Sequence, residues 1–191
     1  MKMTLKEIQE LLGFEVELIA EKPCDIGSVV NIAGINWIVL DKDEDGNAIC
    51  ITKNIIDVSV FDNHTGCLRT KYDVSCICEK LNDEFLKFLT CEIGENQILN
   101  IEMDLTTEDG VSDYGKITTK IGLLTADMYR KHNRTIRKYP VEDSWWLATP
   151  TCFEYNYIRC VAPNGSIYDE ECLCKKGIRP VCVFSSSVFK S

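Results

Sequence analysis

Cysteine gives this chain its widest chemical range, with eleven among 191 residues. Cys76-x-Cys78 and Cys172-x-Cys174, with Cys152 and Cys160 close to the second pair in sequence, come nearest to a thiolate site for zinc or copper. The C-x-C spacing is weaker than paired C-x-x-C knuckles, and on a helix Cys76 and Cys78 point about 200° apart. Other cysteines sit in apolar strand patterns, as in Ala48-Ile49-Cys50-Ile51 and Val181-Cys182-Val183-Phe184, where a thiol acts as a small buried hydrophobe. An odd count argues against a complete set of disulfides. The expectation is free thiols in a reducing compartment, with no metal and no cofactor.

Asp41-Lys42-Asp43-Glu44-Asp45-Gly46 imitates the start of a calcium loop, but Thr52 stands at the twelfth position, where a bidentate Glu is required. An acidic hairpin turn is the better reading. His64 and His132 both lie in polar loop contexts. No Ser or Cys occupies a recognised nucleophile motif, and no Gly-rich phosphate fingerprint occurs. The chain therefore reads as a non-enzyme.

Charge is distributed unevenly. Residues 1–113 hold 23 acids against 9 bases, and residues 114–191 hold 7 acids against 12 bases, giving −14 and +5 for a total of −9. No Lys or Arg falls between Lys87 and Lys116, while Glu102, Asp104, Glu108, Asp109 and Asp113 accumulate there as a candidate acidic binding loop. Tyr129 and Tyr139 flank the one concentrated basic run, whose candidate contacts are Arg130, Lys131, Arg134, Arg137 and Lys138. Overall acidity disfavours direct nucleic-acid binding.

The elements that must position these groups follow from periodicity. Thr4-Leu5-Lys6-Glu7 is a capping box opening a short amphipathic helix, and Phe14 to Leu18 alternates as a strand, so residues 1–24 form an accessory helix-strand unit. Val29–Ile32, Ile35–Leu40 and Ala48–Thr52 predict a β-meander. Val74, Ile77, Cys78, Leu81, Phe85 and Phe88 predict a helix over 73–89, with Asp73 as cap and a second short helix around 92–99. The acidic stretch up to Lys116 reads as a solvated loop. Ile117 to Leu124 has strand character, Thr125 caps a brief helix to Tyr129, and a polar stretch leads from Arg130 to Trp145. The whole reads as α+β. The N-terminus lacks a signal-peptide core and no stretch is long enough for a membrane span, which predicts a cytoplasmic protein.

The order Gly27-Ser28-Val29-Val30, Trp37-Ile38-Val39-Leu40, Leu81-Asn82-Asp83-Glu84-Phe85, Trp145-Trp146-Leu147-Ala148-Thr149-Pro150, Ala162-Pro163-Asn164-Gly165-Ser166 and Gly177-Ile178-Arg179-Pro180 resembles an uncharacterised bacterial and phage domain family. That family ends in W-W-L-R-S-P and G-V-R-P signatures. It resembles a branch of the C-type-lectin-like superfamily, which includes formylglycine-generating enzymes. The resemblance spans roughly residues 25–184 and implies mixed, mainly antiparallel sheets with a few short helices over 25–191. Ala148 stands where many relatives carry Arg.

Read physically, Trp145, Trp146, Gly177, Arg179 and Pro180 are framework. One tryptophan should face the core and the other a second layer or a groove, Gly177 permits a turn or close approach, and Arg179 can satisfy several carbonyls. Function is expected in the loops 100–116, 128–144 and 152–175, the last adding Tyr155 and Tyr157. The expected activity is macromolecule binding, with an acidic anti-CRISPR-like inhibitor of a basic nucleic-acid enzyme as the specific version. Ligand recognition of C-type-lectin type, or a formylglycine-generating-like enzyme, are the alternatives.

Overall fold

The computed structural model describes residues 24–64, 71–151 and 156–190. The accessory unit at 1–24, apart from Cys24, and Tyr155 lie outside the described residues.

The meander forms as its apolar runs and intervening turns predict, with β1 (Val29–Ile32), β2 (Ile35–Lys42) and β3 (Ala48–Thr52). Ala33 and Gly34 between β1 and β2 both take positive φ, 54° and 75°, which is the two-residue turn whose twist matches the flanking strands. The meander does not form a sheet alone. β13 (Val181–Phe184) lies against β3, and β5 (Ile98–Leu99) and β8 (Ile121–Gly122) both pair with β13, giving six strands. A second sheet runs β11 (Ile167–Glu171), β10 (Tyr157–Val161), β9 (Trp145–Pro150), β12 (Lys176–Ile178), β4 (Asp57–Ser59). Every pairing is antiparallel except β9 with β12. With its helices, the chain is α+β and mainly antiparallel.

The helix expected at 73–89 starts later and runs longer. Tyr72–Val74 makes a tight 3₁₀ turn, so the cap is Ser75 rather than Asp73, its Oγ accepting from Cys78 N–H at 3.3 Å. From there α1 (Cys76–Lys80), a π-helical segment (Leu81–Phe85) and α2 (Leu86–Ile93) run end to end, stopping at Gly94 with φ of 89°. Residues 92–99 therefore hold a helix end, a 3₁₀ turn (Glu95–Gln97) and β5 rather than a separate helix.

The π segment has a visible cause in Asn82. Its amide donates to Ile121 O at 2.9 Å and to Cys78 O at 3.1 Å, and its Oδ1 accepts from Thr119 Oγ1 and Ile121 N. One side chain thereby satisfies the backbone freed by the wider turn and pins the segment entering β8.

Two expected loops are ordered elements. Ile101, Met103 and Leu105 are buried and alternate with exposed Glu102 and Asp104, so residues 101–104 form β6, paired with β7 (Lys116–Thr119) as a separate two-stranded hairpin. The acid density hid a period-two pattern. Likewise Thr125 caps a helix, α3 (Ala126–Ile136), that runs past Tyr129 through most of the basic run. Tyr129, His132 and Ile136 are buried, supplying the inward face. His132 is thus a helix residue packed inward, not a loop histidine.

Candidate functional site

Gly-Ile-Arg-Pro is the joint between the two large sheets. The chain leaves β12 in one sheet at Ile178 and enters β13 in the other at Val181, so Arg179 and Pro180 are the crossing. The chain also crosses between β3 and β4, and the two crossings are bonded through Thr52 N to Pro180 O and Ile56 N to Ile178 O. Arg179, only 1% exposed, donates to Thr52 O from Nε and Nη2 and to Lys53 O from Nη2, at 2.9 to 3.1 Å, and its guanidinium lies 4.9 Å from the Trp145 ring. No carboxylate among the described residues pairs with it, and burial pulls its pKa down to about 10. Gly177 serves close approach, since a Cβ there would meet Ile55 Cδ1 at 2.5 Å.

Every residue of β9 is buried, so both tryptophans are enclosed and neither faces an open groove. Trp145 packs against Tyr129 of α3, while Trp146 packs edge-on against Phe61 and donates from Nε1 to Ser59 O at 2.9 Å. Ala148 is likewise enclosed, its N–H bonded to Leu124 O.

The charged residues expected to stand apart are brought together. Glu108, near the hairpin tip, accepts from Arg130 of α3 and from Arg159 of β10, the latter at 2.6 Å. Arg130 also reaches Asp127 at 2.5 Å and Arg159 reaches Asp169, which makes an alternating chain Asp127, Arg130, Glu108, Arg159, Asp169. Lys131 pairs with Asp41 at 2.7 Å, and Lys116 lies 3.7 Å from Asp104. The acidic first portion and the basic second portion thus partly neutralise each other. Asp127, Arg159 and Asp169 are the members that sequence reasoning missed, because isolated charges in a helix or strand give no signal of their partners.

What remains for a partner is narrower than the sequence suggested. Glu102 and Asp104 project from one face of β6, and Asp109 and Asp113 are exposed toward the tip. Thr106 donates to Asp104 through its hydroxyl at 2.6 Å and its N–H, holding that carboxyl below the usual range. On the opposite sign, Arg134 and Lys138 are exposed without an ion-pair partner among the described residues, and Arg137 bonds Asn164 O. Tyr157 lies half-buried on β10 rather than in a loop.

A groove of about 500 Å³ runs between these surfaces, lined by Asp41, Asn47, Glu102, Met128, Lys131 and His132. Burial, then Lys131, lowers the His132 pKa, and Lys131 lowers that of Asp41. Both groups act in one direction. The unfolded chain binds protons more readily than the folded one, so stability is full above the unfolded histidine pKa of about 6.5 and declines as pH falls below it, the Asp41 contribution going later in acid. Thermal melts between pH 8 and pH 5, ranges set by those ordinary pKa values, should show the decline. His132→Gln should flatten its first stage.

Six of the nine described cysteines are buried, among them Cys50 and Cys182 of the apolar strand patterns. Cys50 and Cys182 face each other across β3 and β13. Cys172 is fully buried and Cys174 interacts with Glu170, while Cys152 lies outside the described residues. Among the described residues, the one group of three metal-capable side chains is Asp62, His64 and Cys76. Comparison with family models, curated proteins and solved structures finds no match to the chain.

Proposed function

We propose that this protein is a non-catalytic binding module that offers the carboxylates of its β6–β7 hairpin to a basic macromolecular surface. The observation that carries this reading is the placement of Glu102 and Asp104 at successive outward positions of one strand. Outward residues of a strand are about 6.7 Å apart, comparable to neighbouring phosphates along an extended nucleic-acid strand. The hairpin is held at its base by Asn82 and at its tip by Glu108, so little ordering is needed on binding. The matching partner is a basic nucleic-acid-binding protein, and the specific version is inhibition of the anti-CRISPR kind. The resemblance to C-type-lectin-like scaffolds supports a binding role without specifying the ligand. No helix among the described residues is long and apolar enough to cross a membrane, and the free thiols suit a cytoplasmic setting.

The test begins with a partner recovered by affinity capture. Glu102→Lys with Asp104→Lys should weaken its binding by roughly tenfold or more, and wild-type affinity should fall steeply with salt. Glu102→Lys alone should change folding stability by no more than about 0.5 kcal/mol. Asp104→Lys also loses the Thr106 bonds and faces Lys116, so thermal melts establish that the double variant is folded. Unaltered affinity in the double variant would exclude the hairpin as the contact.

A second reading, ligand recognition, is favoured by a pocket of about 180 Å³ beside Arg179, with Tyr129, Arg137, Tyr139 and Asn164 in its lining. A ligand carrying a carboxylate or phosphate would meet Arg137 there. Its binding should be indifferent to hairpin charge reversal and be lost in Arg137→Ala.

A further inference from the structure

Asp62 is a carboxylate in an unusual place. It is 1% exposed, and its Oδ1 accepts backbone N–H groups from His64 at 3.2 Å and Cys76 at 3.3 Å, tying the segment after Phe61 to the start of α1. This tie brings two more chemically active side chains to the same point. His64 Nδ1 is 2.8 Å from Asp62 Oδ1, and Cys76 Sγ is 3.2 Å from the same oxygen and 2.8 Å from Asn63 Oδ1. The sulfur also lies 3.7 and 3.8 Å from the two ring nitrogens of His64. Two separate segments, the one carrying Asp62 and His64 and the one carrying Cys76, thus place sulfur, nitrogen and oxygen donor atoms within 4.8 Å of one another.

Sulfur, nitrogen and oxygen donors thus converge on one buried carboxylate that two backbone N–H groups hold in place. Asp62 Oδ1, His64 Nδ1 and Cys76 Sγ are the mutually close donor atoms, 2.8 Å from oxygen to nitrogen, 3.2 Å from oxygen to sulfur and 3.7 Å from nitrogen to sulfur. On tetrahedral zinc, with bonds of about 2.3 Å to sulfur and 2.0–2.1 Å to nitrogen, those two ligand atoms sit about 3.6 Å apart. The observed separation is already close to this value.

A nucleophilic Cys-His pair fits less well. Sγ is almost equidistant from both ring nitrogens, so it lies along the in-plane lone-pair direction of neither. Burial, with the Asp62 carboxylate adding to it, also pushes the thiol pKa up.

We propose that Asp62, His64 and Cys76 form a site for a borderline-soft divalent cation, zinc being the fitting ion. The mixed sulfur, nitrogen and oxygen set disfavours calcium and magnesium, which take oxygen ligands. Binding exchanges the Cys76 S–H bond for a metal–sulfur bond and releases the proton to solvent. His64, with its side chain 52% exposed, keeps the site within reach of solvent. This replaces the expectation of a metal-free protein and is independent of the hairpin reading.

The experiment is titration of the reduced, chelator-treated full chain with Co²⁺ as a spectroscopic probe, followed by competition with Zn²⁺. One equivalent should produce a thiolate-to-cobalt charge-transfer band that zinc abolishes. Cys76→Ser should remove the band, His64→Ala should weaken affinity by at least about tenfold, and Cys91→Ser, at an exposed cysteine elsewhere, should change neither. Melting curves in chelator establish that the variants are folded. His64→Ala serves as the second variant because its exposed ring is not part of the core. A wild-type chain without the band would overturn the site, as would a band that persists in folded Cys76→Ser or an unchanged affinity in His64→Ala.

Discussion

Trp146→Ala should destabilise the folded chain by about 3–5 kcal/mol, the cost typical of removing a fully enclosed aromatic side chain. Three contributions act together. The indole is 0% exposed, so its apolar area returns to water only on unfolding. Its edge-on contact with Phe61, at 5.6 Å between ring centres, disappears. Its Nε1–H also leaves Ser59 O without that donor at the junction with β4. For a chain of this size the loss lowers the melting temperature by roughly 10 °C. Urea unfolding checks it through a lower midpoint at unchanged slope. Trp146→Phe should restore more than half of the loss, since it keeps a ring against Phe61. A cost below about 1 kcal/mol for the alanine variant would show that β9 is not enclosed on that face.

Arg179→Ala should cost about 2–4 kcal/mol, for a different reason. A buried guanidinium without a carboxylate carries its own desolvation penalty, so removing the charge is by itself favourable. What is lost outweighs that gain: the Thr52 and Lys53 carbonyls lose three bonds, and Trp145 loses the group stacked on it. The damage falls at the joint where the chain passes between sheets. Arg179→Lys should recover less than half, because an ammonium lacks the planar fork that serves both carbonyls and covers the ring. Guanidinium-induced unfolding measures both variants. Equal stability of Arg179→Lys and wild type would show that charge alone is required there.

The local patterns that depend on near neighbours were legible. Ala33-Gly34 as a turn, the apolar run from Ile35 to Leu40 as a strand, and Thr125 as a cap each act over a few residues, and each forms as expected. The errors came where composition competed with periodicity. Glu102 and Asp104 suggested a solvated loop, yet Ile101, Met103 and Leu105 between and beside them carry the strand. The basic residues after Tyr129 suggested another loop, yet His132 and Ile136 continue the buried face of α3. Asp73 was the expected cap, but the 3₁₀ turn at Tyr72–Val74 moves the start of the helix to Ser75.

Sites assembled from distant segments gave no such signal. Nothing in the sequence around Glu108 identifies Arg130 and Arg159 as its partners. Asp62 and Cys76 meet because backbone N–H groups from two segments converge on one buried carboxylate. Cys76 drew attention through its spacing from Cys78, but Cys78 is buried and the converging donors are Asp62 and His64 instead.

The two attachments of the β6–β7 hairpin differ in kind. Asn82 holds the base through neutral hydrogen bonds, whereas Glu108 holds the tip through ion pairs with its side chain 26% exposed. Dissolved ions weaken the second far more than the first. Amide hydrogen exchange should therefore accelerate with ionic strength around Thr107–Gly115 while remaining slow at Thr119–Ile121, a gradient of local opening along one arm. The hairpin is a lever hinged at Asn82 whose free end is latched electrostatically, so its Glu102 and Asp104 face is presented most rigidly at low ionic strength.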